Sequence, residues 1–266
     1  GIFGIPFSFA KAGFWVALPF LIVIGIITLL LNYIYGEIVL RTHQQHQIVG
    51  YTERYLGPWW KRVIFFSIIL NTYAALLAYI IISGDFLTNI FSSLFYISSE
   101  SYSIWFFMIV SLLVLFGLKT VAQVELILGF LFIIIIALVF GFGVKSIDIQ
   151  NYSYTNTEFW FFPYGVFLFA FAGLSTIPIQ REILFNSEKY LKKSIFFAVL
   201  IVGILYFIFG ATVLGISGEA TSPDSINGLI DALGGKIVFL GSLFGVLAIS
   251  TSYLMLGTAL LEVFNF

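Results

Sequence analysis

Seven apolar stretches of near membrane-crossing length follow one another through this chain, at 14–40, 63–91, 104–118, 121–144, 159–185, 195–216 and 237–264. A helix needs about 20 apolar residues to cross the hydrocarbon core, and lipid offers no partner for an unpaired backbone amide. These stretches therefore predict helices. The 104–118 stretch reaches span length if it begins near Tyr102. An incomplete first span occupies the residues up to Gly13, which brings the expected count to eight. Composition agrees: 61% of residues are hydrophobic and 9% charged, where soluble domains carry about 25% charged residues. The expected fold class is all-α, a polytopic membrane helix bundle forming a single domain over 1–266.

Charge orients the bundle. Arg41, Arg54, Lys61 and Arg62 follow the second span, Lys119 precedes the fifth, and Arg181, Lys189, Lys192 and Lys193 follow the sixth. These alternate segments hold nine of the twelve basic residues. The opposite segments hold Lys11, Lys145 and Lys236 beside Glu100, Asp148, Glu158, Glu219, Asp224 and Asp231. The positive-inside rule puts the first set, and the N-terminal side of the first span, in the cytoplasm. A formal net charge of −1 argues against a nucleic-acid partner. Cysteine is absent, which removes disulfides and thiolate metal sites.

Two segments interrupt the apolar pattern in the same way. The first is Gly1-Ile2-Phe3-Gly4-Ile5-Pro6, and the second is Phe171-Ala172-Gly173-Leu174-Ser175-Thr176-Ile177-Pro178. Irregular backbone at membrane depth must face protein or a wet cavity. Pro6 and Pro178 suit the first turn of a helix, where no amide hydrogen is needed. A half-helix beginning near Ile5 turns its positive amide end to the cavity and suits a carboxylate. Gly1 and Gly4 leave the main chain open to a ligand. In the second break Gly173 permits unwinding, Ser175 and Thr176 are expected to cap freed groups, and free carbonyls around Phe169 and Ala170 suit an ammonium group. Kinks and packing notches are an ordinary alternative for either break alone. Their matched placement, at the first helix of each half, favours a transporter with an inverted repeat and a mid-bilayer site for a zwitterion.

Residues 1–14, from Gly1-Ile2-Phe3-Gly4-Ile5-Pro6 to Lys11-Ala12-Gly13-Phe14, resemble the first-helix signature of the amino acid/auxin permease family. That family lies in the amino acid–polyamine–organocation superfamily and includes bacterial tryptophan/tyrosine permeases. Ala78-Tyr79-Ile80-Ile81-Ile82-Ser83-Gly84-Asp85 and Phe169-Ala170-Phe171-Ala172-Gly173 are similar to the family's third and sixth helices. Ser250-Thr251-Ser252-Tyr253-Leu254 resembles the eighth helix of the aromatic amino acid permeases. The resemblance implies a LeuT-type inverted-repeat fold with helices 1 and 6 broken, repeat one over about 1–145 and a partial repeat two over about 158–266. It implies uptake of a neutral, aromatic amino acid coupled to protons or sodium, in a bacterial or archaeal cell membrane. The first half of helix one and everything after the eighth span are not represented, so a fragment is expected.

Candidate substrate contacts are Gly1, Ile2, Phe3, Gly4, Phe169, Ala170, Phe171, Gly173 and Ser175 at the breaks, with Tyr73 of the third span. Tyr73, beside Asn71 and Thr72, reads equally as inter-helix packing. Ser250, Thr251 and Ser252 form a mid-span hydroxyl cluster suited to a coupling ion, or bond back to their own helix. Glu125 is the deepest acid and a candidate proton carrier, while Glu37 and Asp85 read as interfacial anchors. His43 and His46 have a spacing that suits a metal on a helix, but an ordinary loop role fits them better. Trp59, Trp60, Trp105 and Trp160 read as interfacial belt residues. No catalytic constellation is recognised, so an enzyme is not expected. Nor is a cofactor, apart from the coupling ion. The expected partners are an amino acid and the lipid bilayer. A channel or an amino-acid-sensing membrane protein is the alternative, although neither pore-lining rings nor a filter loop is evident.

Overall fold

The computed structural model describes residues 1–42, 46–91, 95, 97–116, 118–223, 225, 229 and 236–264. His43, Gly117, Asp224 and Asp231 lie outside the described residues, as do the side chains of Lys119 and Lys236. Ten α-helices are named here in chain order: α1 (Gly4–Ala12), α2 (Phe14–Arg41), α3 (Ile48–Leu56), α4 (Pro58–Phe91), α5 (Ser99–Leu115), α6 (Leu118–Gly143), α7 (Phe162–Ala170), α8 (Ile177–Ile183), α9 (Leu191–Ser217) and α10 (Lys236–Val263). No strand occurs among the described residues.

Among the described residues, six helical segments are long and apolar enough to cross a membrane, and α5 is a shorter apolar helix. The 28 residues of α2 span roughly 42 Å at 1.5 Å per residue, more than the hydrocarbon core requires. Two boundaries differ from expectation. The third span begins at Pro58 because proline suits a first helical turn, and Trp59 and Trp60 follow it on exposed positions. The fourth begins at Ser99 rather than near Tyr102, with Ser98 at its N-cap. The short helix α3 was not expected. It buries Val49, Gly50, Tyr51 and Thr52 near its start and leaves Glu53 and Arg54 exposed.

The chain divides into two compact units, each described by itself. The first comprises Gly1–Tyr33, Ile133–Gly173 and Lys192–Gly241. In it α1 packs on α7 through Phe9 and Phe167, both fully buried, with ring centroids 5.9 Å apart. Gly210 of α9 fits against Phe9 and Ile5, where a β-carbon would come within 2.8 Å of the Phe9 ring. Between α1 and α2 the chain turns at Gly13, whose φ of 92° disfavours any other residue. The amide of Asn156 donates to the Ala12 carbonyl at 3.1 Å, tying that turn to the segment before α7. The segment after α6 closes the end of α9. Asp148 N and Asn151 Nδ2 each donate to the Gly215 carbonyl at 2.8 Å, and the Tyr152 hydroxyl donates to Ala211 at 3.0 Å. The Gly215 carbonyl is one that the helix end leaves open, and its two donors satisfy it.

The second unit comprises Ile34–Phe132, Leu174–Leu191 and Ser242–Phe266. Here α4 and α5 form a hairpin in which Ser99 Oγ donates to Asp85 at 2.7 Å. Helix α10 meets α5 through a hydroxyl pair, Ser111 and Tyr253, 2.8 Å apart. It meets α6 through stacked Phe132 and Phe244 rings 4.7 Å apart. At the end of α8, Arg181 is buried. Its Nη1 donates to the carbonyls of Val39, at 2.5 Å, and Thr42, at 3.1 Å, while Nε donates to Glu188 at 2.9 Å.

Candidate functional site

Residues 1–3 precede regular helix, and α1 begins at Gly4. The carbonyls of Gly1 and Ile2 accept from the amides of Gly4 and Ile5 at 3.2 and 3.0 Å. Ser8 Oγ donates to the Gly4 carbonyl at 2.8 Å. Ser225 Oγ donates to the Phe3 carbonyl. Phe3 stands at the N-cap of α1 and makes no side-chain capping bond. Pro6, expected in the opening turn, is the third residue of this helix.

The second interrupted segment has regular helix to Ala170, a 3-10 turn at Leu174–Thr176, and helix again from Ile177 with Pro178 in its first turn. The capping expected from Thr176 differs in detail. Thr176 stands at the N-cap of α8, but its side chain makes no capping hydrogen bond. Ser175 is half-buried in the 3-10 turn.

Within the first unit the opening residues and the end of α7 touch. A β-carbon on Gly1 would lie 2.9 Å from Ala170 Cα, and one on Gly4 would lie 2.8 Å from Val166 Cγ1. Only glycine permits these approaches without displacement. Gly1 and Gly4 thus lie against α7, at Ala170 and Val166.

The carbonyls at the end of α7 are not free, contrary to the expectation. The Phe169 carbonyl accepts from Ala172 N at 3.2 Å, and Ala170 accepts from the Tyr206 hydroxyl at 2.7 Å. The physical reason is that an open carbonyl in an apolar span is costly, and the chain supplies its own donors. Tyr206 is a candidate residue that the sequence reading missed. Its signal was available: it is the single side chain with a hydrogen-bonding group between Ser194 and Thr212. Its ring also packs edge-on against Phe171, with centroids 5.2 Å apart.

An apolar groove of about 580 Å³ adjoins this point in the first unit. Phe171 contributes to it beside Leu21 and Gly25 of α2 and Phe196 and Gly203 of α9. Gly25 and Gly203 face the Phe171 ring, where added β-carbons would meet it at 3.4 and 3.8 Å.

The remaining candidates belong to the second unit. Tyr73 is 56% exposed, whereas its neighbour Thr72 is buried. Thr251 Oγ1 and Ser252 Oγ both donate back to the Ala248 carbonyl, at 3.0 and 2.9 Å. Such a bond uses the hydroxyl hydrogen and leaves the oxygen able to accept. Ser250 is half-buried one residue before them. Glu125 is half-buried on α6. Glu37 accepts from Arg41 Nε at 2.6 Å, an exposed pair one helical turn apart. His46 packs its ring edge-on against Tyr51 at 5.6 Å. Among the described residues no group of three His, Cys, Asp or Glu side chains comes together as a metal site would require.

Comparison with known sequences gives one family-level result. The model of the tryptophan/tyrosine permease family matches residues 1–265. No curated protein matches the chain.

Proposed function

The chain belongs to the tryptophan/tyrosine permease family, and from that premise we propose an ion-coupled symporter that carries a neutral, aromatic amino acid across a cell membrane. Membership itself implies a multi-pass membrane protein that transports an amino acid. The finer reading rests on one observation: the close approach of Gly1 to Ala170 and of Gly4 to Val166, where helix α1 begins and helix α7 ends.

The positive end of the α1 dipole suits the substrate carboxylate, which would compete with the Gly1 and Ile2 carbonyls for the amides of Gly4 and Ile5. The carbonyl end of α7, at Phe169 and Ala170, suits the ammonium group. Phe3, Phe169 and Phe171 offer apolar contact to an aromatic side chain, while Gly1, Ile2, Gly4 and Gly173 offer main chain. Ser175 and Tyr73, singled out from the sequence alone, belong to the second unit. A coupling ion, sodium or proton, falls to Ser250, Thr251 and Ser252 or to Glu125.

Unit membership supports a LeuT-type arrangement with its helices 1 and 6 broken. A five-span repeat pairs the first span with the sixth, the second with the seventh and the third with the eighth. The first unit holds α1 with α7, and the first 20 residues of α2 with α9. The second holds α4 with α10 from Ser242 onward. These matched helices share a unit, while α8, which continues the sixth span, lies in the second unit with the end of α2. The positive-inside pattern places the α2–α4 connection and the end of α8 in the cytoplasm.

The test is uptake by the purified full-length protein in proteoliposomes. Labelled tryptophan or tyrosine is expected to accumulate only under a sodium or proton gradient. Flux that needs no gradient and runs at channel speed favours the alternative reading and rejects this one.

A further inference from the structure

We propose that the Tyr206 hydroxyl is a built-in competitor for the substrate's ammonium group, holding the Ala170 carbonyl while the site is empty and yielding it when an amino acid binds. The inference rests on the transporter reading and adds a residue to its site.

Three observations meet at this carbonyl. First, Ala170 is the last residue of α7, and its carbonyl takes the Tyr206 hydroxyl at 2.7 Å. Second, Gly1 lies directly against Ala170, with 2.9 Å between an added β-carbon and Ala170 Cα. The carbonyl thus belongs to the residue where the two interrupted segments touch. Third, Tyr206 is backed by Phe171. Phe171 in turn faces Gly25 and Gly203 beside the groove of about 580 Å³. The ring pair therefore borders this apolar groove.

The chemistry favours exchange. A neutral hydroxyl makes an ordinary hydrogen bond, and an ammonium group makes a charge-assisted one of about twice the strength. An empty site cannot leave this carbonyl bare in an apolar span without a penalty. Tyr206 removes that penalty, so the bound state gains only the difference. This lowers affinity, which suits a transporter that must also release its cargo. The cost falls only on ligands that carry an amine. A ligand without a cationic amine leaves Tyr206 in place and gains nothing from this carbonyl.

The test compares ligands with and without the amine on the purified full-length protein in nanodiscs. Tryptophan and tyrosine are titrated calorimetrically beside indole-3-propionate and 3-(4-hydroxyphenyl)propionate. Tyr206→Phe keeps the ring and its packing on Phe171. It is expected to lower the Kd of the bound amino acid roughly three- to tenfold and to leave its deaminated analogue within about twofold. In transport the same variant is expected to lower KM and maximal rate together, because release slows. An equal change for both ligands marks a structural role and overturns the proposal. So does unchanged or weakened amino acid binding. Failure of the unsubstituted protein to bind either amino acid overturns the transporter reading and this inference with it. Normal binding with an unresponsive variant overturns the inference alone.

Discussion

Gly1 and Ala170 approach so closely that a β-carbon on Gly1 would stand 2.9 Å from Ala170 Cα. The contact joins the residues just before α1 to the last residue of α7. Small residues allow main chains to meet where larger side chains would hold them apart, the usual device for close packing in membranes. Two helix ends of opposite polarity are thereby brought to one place, which is what a zwitterion requires.

Gly4 gives the sharpest steric prediction. A β-carbon there would lie 2.8 Å from Val166 Cγ1. Valine is stiff about χ1 in a helix, so the clash is not relieved by a simple rotation. Gly4→Ala is expected to cut amino acid uptake about tenfold, in line with an overpacking cost of about 1–3 kcal/mol. Gly4→Val is expected to abolish uptake while insertion into the membrane persists. Adding Val166→Ala to Gly4→Ala removes the obstructing methyl groups and should restore most of the activity. Uptake assays on the single and double variants, normalised to membrane-inserted protein, decide it. A double variant no better than Gly4→Ala contradicts this account.

The spans were legible because lipid enforces a simple rule, that an apolar run of sufficient length becomes a helix. The interruption after Ala170 was legible for a similar reason, since Gly173 and Pro178 conflict with a continuous helix. Three things escaped. Helix α3 is too short and too polar to register as a span, and its burial of Tyr51 depends on tertiary neighbours. The partner of the Ala170 carbonyl lies 36 residues away on α9, beyond any local pattern. Arg181 read as a cytoplasmic edge residue, yet it is buried against carbonyls at the end of α2. Long-range hydrogen bonds carry no periodic signature, and the last two omissions are of this kind.

Thr251 tests the ion. Its hydroxyl hydrogen is directed to Ala248, and the oxygen keeps its capacity to ligate a cation. Thr251→Ala is expected to raise the sodium concentration for half-maximal uptake severalfold, since hard cations take oxygen ligands. Uptake measured across a sodium series at fixed pH reads this directly. An unchanged sodium curve, together with loss of proton-driven uptake in Glu125→Gln, transfers the coupling role to Glu125.

Tyr152 couples the segment after α6 to the end of α9, donating to the Ala211 carbonyl at 3.0 Å. Burial pushes its phenol above the ordinary value of 10.0. A folded-state pKa above the unfolded one gives a stabilising contribution that is complete below about pH 10 and fades as pH rises through the folded value. Tyr152→Phe is expected to cost about 1 kcal/mol near neutrality. The variant should also lack this tyrosine's share of the alkaline loss of stability. Thermal unfolding in detergent between neutral and strongly alkaline pH checks both points. Parallel curves for the two proteins throughout would remove the titration argument.

Arg181 bears on stability more than any exposed charge. Its side chain is only 9% exposed, and it bonds two carbonyls of the α2 end as well as Glu188. Removing it strands those carbonyls and the carboxylate together. Arg181→Met should therefore lower stability by about 2–4 kcal/mol, between the cost of unpaired buried acceptors and that of a broken buried ion pair. Glu188 is 36% exposed on its side chain, so solvent already screens its part of the pair. Glu188→Gln should accordingly cost less than about 1 kcal/mol, because the carbonyl bonds remain. Lysine is a poor substitute, since a single ammonium cannot reproduce a planar fork that serves carbonyls and carboxylate at once. Thermal unfolding is expected to rank the variants Glu188→Gln, Arg181→Lys, Arg181→Met from mildest to most severe. If Glu188→Gln proves as damaging as Arg181→Met, the ion pair rather than the carbonyl clasp holds the end of α2.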